Sequence, residues 1–251
     1  AGAMGRVYRA RTVDTGHPVA VKVLGTAAED ADVQRFQTEA SLLARVRHPN
    51  VVTLIDHGFV AGARPCIVME LVKGETVAVE LERSGALPWP EALSIARGVL
   101  SGLEAIHAAS VIHRDLKPAN VILCTYPHPG PKLVDFGIAR SLEPDSIRLT
   151  STGTFVGTPA YMAPEQAIGA PCDARTDVYA AGVMLFEMLT GKLPHGEVPG
   201  PGWIKRFLEP GPAPTPPRGR PGLPRVVIDS IAQALSPDPG DRPASARLFA
   251  E

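Results

Sequence analysis

The fold is decided by His113-Arg114-Asp115-Leu116-Lys117-Pro118-Ala119-Asn120, residues 113–120. A second motif, Asp135-Phe136-Gly137, follows it. We predict a short hairpin between the two motifs. A carboxylate at Asp115 can orient an attacking hydroxyl and accept its proton, and an ammonium at Lys117 can neutralise a phosphoryl group. Carboxamide and carboxylate oxygens, at Asn120 and Asp135, are ligands that Mg²⁺ prefers. Together these residue types predict phosphoryl transfer.

Two patterns near the N-terminus fit the same chemistry. Gly2-Ala3-Met4-Gly5-Arg6-Val7 matches the end of a G-x-G-x-x-G-x-V pattern whose first glycine would precede Ala1, and glycines let backbone N–H groups approach phosphates. Lys22 lies within an apolar strand-like run, where a buried ammonium needs an anionic partner. Glu39, on a predicted helix, can supply that partner. Taken alone, the glycine pattern indicates a plain loop, and Lys22 indicates a lysine on the solvent face of a strand.

The order of predicted elements divides the chain into two parts of an α+β fold. Strands are predicted first, with one helix among them, at residues 2–11, 18–24, 51–54 and 66–71 and at 32–46. Longer helices follow at residues 90–108, 178–189 and 226–235, with a Pro- and Gly-rich loop region at 194–224. We therefore expect a small β-rich lobe over 1–72 and a larger helical lobe over 73–251, hinged near 70–74.

Composition excludes several classes of protein. The net charge of −1 disfavours a nucleic-acid-binding protein. The three cysteines, Cys66, Cys124 and Cys172, form no C-x-x-C pair, which disfavours a disulfide framework or a zinc site. The longest apolar run, residues 178–189, is interrupted by Glu187 and is too short to span a membrane. We expect a cytoplasmic segment without membrane contact, in a parent protein that further sequence could anchor to a membrane.

These motifs resemble those of the eukaryotic-like protein kinases, most closely the bacterial serine/threonine branch. The resemblance extends to Met69-Glu70-Leu71-Val72 as the hinge, Ala163-Pro164-Glu165 at the end of the activation segment, Asp177, and Arg242 in Asp241-Arg242-Pro243. It implies the two-lobed protein kinase fold, with a β-rich N-lobe whose first strand would precede Ala1 and a larger helical C-lobe.

The resemblance also implies a role for each matching residue. Asp115 resembles the catalytic base and Lys117 the residue that contacts the γ-phosphate of ATP. Asn120 and Asp135 resemble the ligands of Mg²⁺, for which Mn²⁺ is an alternative. Lys22 would hold the α- and β-phosphates and would be oriented by Glu39.

The remaining matches concern the nucleotide and the packing around it. The glycines at 2 and 5 would cover the phosphates, and the adenine would lie between Val7, Ala20 and Ile122, its edge bound by the backbone of Glu70 and Val72. Glu165 and Arg242 resemble a buried ion pair. An apolar stack resembles the one that couples helix position to the active state; its members are Leu43, Leu54, His113 and Phe136.

Lys117 together with Gly157-Thr158-Pro159 resembles the serine/threonine pattern, which implies Ser and Thr hydroxyls of proteins as acceptors. Hydroxyls cluster between residues 149 and 154, and a phosphothreonine there could pair with Arg114. We predict autophosphorylation at Thr150 and Thr152, in trans if two kinase domains dimerise.

Two other functions stay open at the level of sequence. A pseudokinase, acting as a nucleotide- or protein-binding module, is disfavoured by the complete set of catalytic residues. It is kept open by the cut glycine pattern and by His195, which stands where the family usually has an aromatic residue. A small-molecule kinase of related fold is disfavoured by Ala163-Pro164-Glu165 and the Thr-rich segment before it.

Overall fold

A computed structural model describes residues 5–24, 30–60, 64–126, 128–136, 159–196 and 222–251. Its strands are β1 (Arg6–Arg11), β2 (Pro18–Val23), β3 (Leu54–Val60), β4 (Arg64–Glu70), β5 (Lys73–Thr76), β6 (Val121–Tyr126) and β7 (Gly130–Leu133). Its α-helices are α1 (Asp30–Leu43), α2 (Val77–Ser84), α3 (Trp89–Ala108), α4 (Pro164–Ala167), α5 (Ala174–Thr190), α6 (Arg225–Ala234) and α7 (Ala246–Ala250). Short 3₁₀ turns lie at Pro118–Asn120, Pro159–Tyr161 and Pro239–Asp241.

The first lobe is an antiparallel sheet with one helix on it. The strand order is β1-β2-β4-β3, and α1 packs against β3 and β4. Phe36, Ala40 and Leu43 recur at helical spacing along α1 and are all buried, because this stripe faces the sheet. The predicted helix and its apolar face are confirmed.

The second lobe is built around two long helices. α5 is buried over almost its whole length, and α3 packs against α5, α7 and β7. A second antiparallel sheet, ordered β5-β6-β7, lies beside them. The first sheet ends at Glu70 and the second begins at Lys73, so the division at residue 72 remains an interpretation of the hinge. Across the described ranges, no helix is both long and apolar enough to span a bilayer.

The strand predicted at residues 51–54 is wrong. β3 begins only at Leu54, and Val51 makes a single parallel bridge to Leu133. The run is apolar because it is buried beside α3, where Gly102 permits close contact: a Cβ there would lie 2.9 Å from the carbonyl oxygen of Asn50. Val52 N donates to Leu133 O (2.9 Å) and Leu133 N to Asn50 O (2.8 Å), so this segment joins the first lobe to β7.

Helix α2 was not predicted from the sequence. Thr76 begins it, since its Oγ1 accepts a hydrogen bond from Val79 N (3.3 Å), as a helix N-cap does. The helix has only eight residues, which is short for a pattern of period 3.6 to stand out.

Candidate active site

The loop of residues 113–120, here named the catalytic loop, runs from the end of α3 towards β6. Lys117 Nζ donates to Asp115 Oδ2 (2.9 Å). Asn120 Nδ2 donates to both Asp115 O (2.7 Å) and Asp115 Oδ2 (3.0 Å). Three residues predicted to act together therefore contact one another directly, and the carboxylate of Asp115 is held between an ammonium and an amide.

The backbone of this loop is fastened to α5 by a buried carboxylate. Asp177 is only 1% exposed; it accepts hydrogen bonds from His113 N (2.8 Å) and Arg114 N (2.9 Å), and its Oδ2 lies 2.7 Å from His107 Nε2. Arg114 has a φ of 61°, and a left-handed backbone at a residue other than glycine costs about 1–3 kcal/mol. The Asp177 contacts help to stabilise that conformation beside Asp115.

Asp135 lies next to the catalytic loop, because Val134 N donates to Asn120 O (2.9 Å). Its Oδ1 is 3.0 Å from Lys22 Nζ, and its φ of 58° also lies in the left-handed region. Asn120 uses Nδ2 for both of its side-chain hydrogen bonds, and no donor within the described ranges reaches its Oδ1. A carboxylate and an amide oxygen are thus available together, and this donor set suits Mg²⁺.

The structure gives Lys22 and Glu39 different partners from those expected. Lys22 pairs with Asp135, whereas Glu39 Oε1 lies 3.2 Å from Arg114 Nη1. A Lys22–Glu39 pair is not among the ion pairs of the described residues. The sequence contains two carboxylates that could pair with Lys22, those of Glu39 and Asp135. Which of them does so depends on how α1 packs against the sheet, and spacing along the chain does not determine that packing.

The residues expected around the nucleotide lie on the strands of both sheets. Val7 on β1 is 59% exposed, Ala20 on β2 is buried, and Ile122 on β6 is half-buried. Gly5 has a φ of 122°, and a Cβ there would lie 2.3 Å from the carbonyl oxygen of Val23. The sheet itself therefore requires a glycine at position 5, and contact with phosphates stays a prediction. Gly2 lies outside the described residues.

The hinge is held by an ion pair that the sequence did not reveal. Glu70 Oε1 accepts hydrogen bonds from Thr53 N (2.7 Å) and from Lys132 Nζ (2.7 Å), and the Lys132 side chain is 5% exposed. Burial alone would raise the pKa of Glu70, but the bonds from Lys132 and Thr53 bring it below its ordinary value. Val72, whose backbone was expected to bind adenine, follows two residues later. No local signal identifies Lys132, because its partner lies in the other sheet.

The predicted ion pair of Glu165 and Arg242 is confirmed. Arg242 Nη1 and Nη2 donate to Glu165 Oε1 and Oε2, each at 2.8 Å, and the Arg242 side chain is fully buried. Thr176 Oγ1 adds a third bond to Glu165 (2.8 Å). Burial alone would raise the pKa of Glu165, but the hydrogen bonds and charge of Arg242 bring it below its ordinary value.

His195, the departure from the family pattern, contacts this pair through Tyr179. The Arg242 guanidinium lies over the Tyr179 ring at 4.9 Å from its centroid. The Tyr179 hydroxyl lies 2.9 Å from His195 Nε2. The replacement of an aromatic side chain by His195 therefore gives a hydrogen bond at the end of the network that anchors Glu165.

The apolar stack expected from the resemblance is buried throughout. Leu43 and Leu54 are each 2% exposed, and the His113 ring lies 5.4 Å from that of Phe136, centroid to centroid. Complete burial lowers the pKa of His113, despite the nearby carboxylates. Burial therefore favours the neutral imidazole, and His113 Nε2 makes no hydrogen bond within the described part of the chain.

The end of the activation segment lies against the catalytic loop and α5. The Tyr161 hydroxyl donates to Glu187 Oε2 (2.6 Å), and burial raises the pKa of both groups. Gln166, which the motif analysis passed over, contacts Ala163 N and Arg114 O. Its position three residues after Ala163 is the spacing of a helix-capping side chain, which is a signal that could have found it. Gly157, Thr158, Thr150 and Thr152 lie outside the described residues.

A comparison of the sequence with models of known protein families agrees with this geometry. The geometry consists of the hydrogen-bonded catalytic loop, Asp135 beside it and the anchored Ala163-Pro164-Glu165 segment. The sequence model of the family described as "Protein kinase domain" matches residues 1–248. The chain belongs to the protein kinase domain family. The predicted family and the two-lobed α+β fold are thereby confirmed.

Several curated bacterial relatives resemble this kinase domain along its whole length. The chain is 39% identical over 257 residues to serine/threonine-protein kinase pkn2 of Myxococcus xanthus, covering 100% of the chain and 30% of the relative. It is 40% identical over 261 residues to serine/threonine-protein kinase PkaA of Streptomyces coelicolor, covering 98% of the chain and 47% of the relative. It is 38% identical over 246 residues to serine/threonine-protein kinase PknK of Mycobacterium bovis, covering 98% of the chain and 22% of the relative. The chain spans less than half the length of each relative.

Proposed function

We propose that this kinase domain transfers the γ-phosphoryl group of ATP to Ser or Thr hydroxyls of proteins. The observation that carries the proposal is the catalytic loop, in which Asp115 is bonded to Lys117 and Asn120 and the Asn120 carbonyl accepts a hydrogen bond from Val134 N, next to Asp135. Phosphoryl transfer depends mainly on positioning and charge stabilisation. This arrangement provides both within one rigid loop, and the relatives carry the serine/threonine kinase name.

Each residue has a role that follows from its contacts. Asp115 orients the acceptor hydroxyl and takes its proton, and Lys117, 2.9 Å from that carboxylate, neutralises charge on the transferred phosphoryl group. Asn120 and Asp135 hold Mg²⁺, or Mn²⁺ in its place, which supplies charge neutralisation at the phosphates. Lys22, which pairs with Asp135, binds the α- and β-phosphates.

The finer parts of the proposal concern the nucleotide, the substrate and regulation. The adenine binds between Val7, Ala20 and Ile122, with its edge on the backbone of Glu70 and Val72. Gly2 and Gly5 cover the phosphates. Proteins are the substrates, and the domain phosphorylates itself at Thr150 and Thr152, in trans within a dimer of kinase domains. We place this segment in the cytoplasm, whatever further sequence does in the parent protein.

The test uses labelled ATP, Mg²⁺ and a generic basic protein as acceptor. We expect transfer by the wild-type chain and a loss of at least about 100-fold in Asp115→Asn, because the carboxylate that accepts the proton is gone. Asp229→Asn, an exposed change on α6, is the matched control and should keep full activity. Wild-type chain that binds nucleotide without transferring phosphate would establish the pseudokinase instead.

Phosphosite mapping after incubation with ATP tests the regulatory part separately. Phosphate at Thr150 and Thr152 is the expected result. Phosphate found only outside residues 141–158 would rule out regulation by this segment, while leaving transfer to other proteins intact.

A further inference from the structure

Gln166, the third residue of α4, uses both ends of its side-chain amide. Its Oε1 accepts a hydrogen bond from Ala163 N (3.0 Å), and its Nε2 donates to the carbonyl oxygen of Arg114 (3.0 Å). The partners dictate the orientation of the amide, because the N–H of Ala163 requires an acceptor and the carbonyl of Arg114 requires a donor. One side chain thus links the end of the activation segment to the catalytic loop.

The residue that Gln166 contacts has an unfavourable backbone conformation. Arg114 has a φ of 61°, which persists only where surrounding contacts fix it. Its N–H is held by Asp177 Oδ1 (2.9 Å) and its carbonyl by Gln166. The second of these contacts matters for chemistry, because the Arg114 carbonyl belongs to the peptide group that leads into Asp115 and sets the direction of its side chain.

The helix that carries Gln166 is itself anchored. The adjacent residue, Glu165, is bonded to the buried guanidinium of Arg242 and to Thr176 on α5. Gln166 also lines a small open cleft together with Asp115 and Lys117. An anchored helix next to the reacting groups can therefore transmit its own position to the catalytic loop through the hydrogen bond from Gln166 Nε2 to Arg114 O.

We propose that Gln166 is a positioning residue for phosphoryl transfer: by holding the Arg114 carbonyl it helps to fix Asp115, so that docking of α4 contributes to the placement of Asp115. The role in transfer rests on the proposed kinase function. A simpler explanation is that Gln166 only caps α4, as a glutamine at the third helical position often does. The bond to Ala163 N suffices for capping, whereas the bond to Arg114 does not contribute to it.

Gln166→Glu separates the two explanations. The new carboxylate still accepts from Ala163 N, so α4 keeps its cap, but it places an oxygen against the Arg114 carbonyl and loses the donor. Gln166→Met removes both bonds at similar volume. Gln233→Met, at an exposed position on α6, is the matched control and should behave as the wild type does.

We expect kcat to fall by about 10- to 100-fold in both Gln166 variants, because small displacements of catalytic groups have effects of that size. The KM for ATP should stay within about 2-fold of wild type, since neither bond of Gln166 reaches a residue that is proposed to bind the nucleotide. The ratio of kcat in Gln166→Glu to that of wild type should rise from about pH 8 to about pH 5.5, because a protonated carboxyl can donate to the Arg114 carbonyl again. Gln166→Met should show no such rise. A normal kcat in both variants would overturn the proposal.

Amide hydrogen exchange gives a second result that needs no activity. Peptides that span residues 111–117 should exchange faster in Gln166→Glu and Gln166→Met than in wild type or Gln233→Met, while peptides from residues 99–106 of α3 stay unchanged. Equal exchange in all four proteins would overturn the positioning role. If the wild-type chain transfers no phosphate but exchange still responds, the proposed function fails and the link between α4 and the catalytic loop stands.

Discussion

Arg242 illustrates how a single residue can be both costly to bury and necessary once buried. Its side chain is fully buried and makes two 2.8 Å bonds to Glu165, with further bonds to the carbonyl oxygens of Ser236, Pro237 and Arg175. Removal of two charges from water costs several kcal/mol each, and their attraction and hydrogen bonds only offset that cost. The pair therefore specifies where the end of the activation segment lies more than it adds stability.

We expect either Glu165→Leu or Arg242→Met alone to lower the free energy of unfolding by about 3–5 kcal/mol, because each leaves an uncompensated buried partner. The double variant Glu165→Leu with Arg242→Met should lose much less. Urea denaturation of all four proteins measures this coupling. A double variant as unstable as the sum of the single changes would contradict it.

The same pair predicts a pH dependence. The pKa of Glu165 in the folded chain lies below its ordinary value of 4.5, so the folded state binds that proton less tightly than the unfolded state does. The stabilising contribution is therefore complete above about pH 4.5 and is lost as the pH falls further. Glu165→Gln should show a weaker loss of stability than wild type over that range.

At the scale of elements, the junction between the two sheets depends on Lys132 of β7. This buried ammonium bonds the Glu70 carboxylate at the end of β4, which also accepts from Thr53 N. Three segments thus meet at one carboxylate: the end of β4, the residues before β3, and β7. Because the backbone of Glu70 is proposed to bind the adenine edge, the ion pair should fix the geometry of nucleotide binding.

Lys132→Met should raise the KM for ATP by about 10-fold and change kcat little, because the ion pair orients the hinge and not the reacting groups. Lys132→Arg should recover part of the affinity by restoring a cation. Lys192→Met, at an exposed position after α5, is the control. Steady-state kinetics over a range of ATP concentrations checks this, and an unchanged KM in Lys132→Met would show that the pair does not shape the nucleotide site.

Features set by nearby residues could be predicted from the sequence, whereas contacts between distant segments could not. Helices α1 and α3 could be predicted because their apolar residues recur at helical spacing, and Asp115, Lys117 and Asn120 because their mutual contacts lie within one short loop. The partners of Lys22 and Lys132 could not be predicted, since both ion pairs join segments that are distant in the sequence. The apolar run at residues 51–54 resembled a strand, because burial alone selects the same residue types whether or not a ladder forms.

At the scale of the whole molecule, the two lobes share a boundary made of backbone bonds and ion pairs. Asn50 and Val52 pair with Leu133, and Glu70 pairs with Lys132. A nucleotide bound to strands of both sheets would contact both sides of that boundary. Its binding energy should therefore appear as stability of the entire domain.

We expect ADP with Mg²⁺, at about 100 times its Kd, to add about 2.7 kcal/mol to the free energy of unfolding, which corresponds to a rise in Tm of about 5–10 °C. Chelation of the metal with EDTA should remove much of that rise, because Asn120 and Asp135 are proposed to bind the phosphates through Mg²⁺. The rise in Tm of Asp135→Asn with ADP and Mg²⁺ should be as small as the rise of the wild type with ADP and EDTA. An identical Tm rise with and without metal would contradict the assignment of these two ligands.

The partners Glu165 and Arg242 are separated by 77 positions in the chain, and this separation has a consequence for synthesis on the ribosome. The catalytic loop and Asp135 emerge first, but the guanidinium that anchors Glu165 follows only near residue 242. Since a chain is made from its N-terminus, residues 113–135 of a nascent kinase domain leave the ribosome while the end of the activation segment still lacks its anchor. The late arginine thereby delays the anchoring of Glu165 until most of residues 1–248 have been translated.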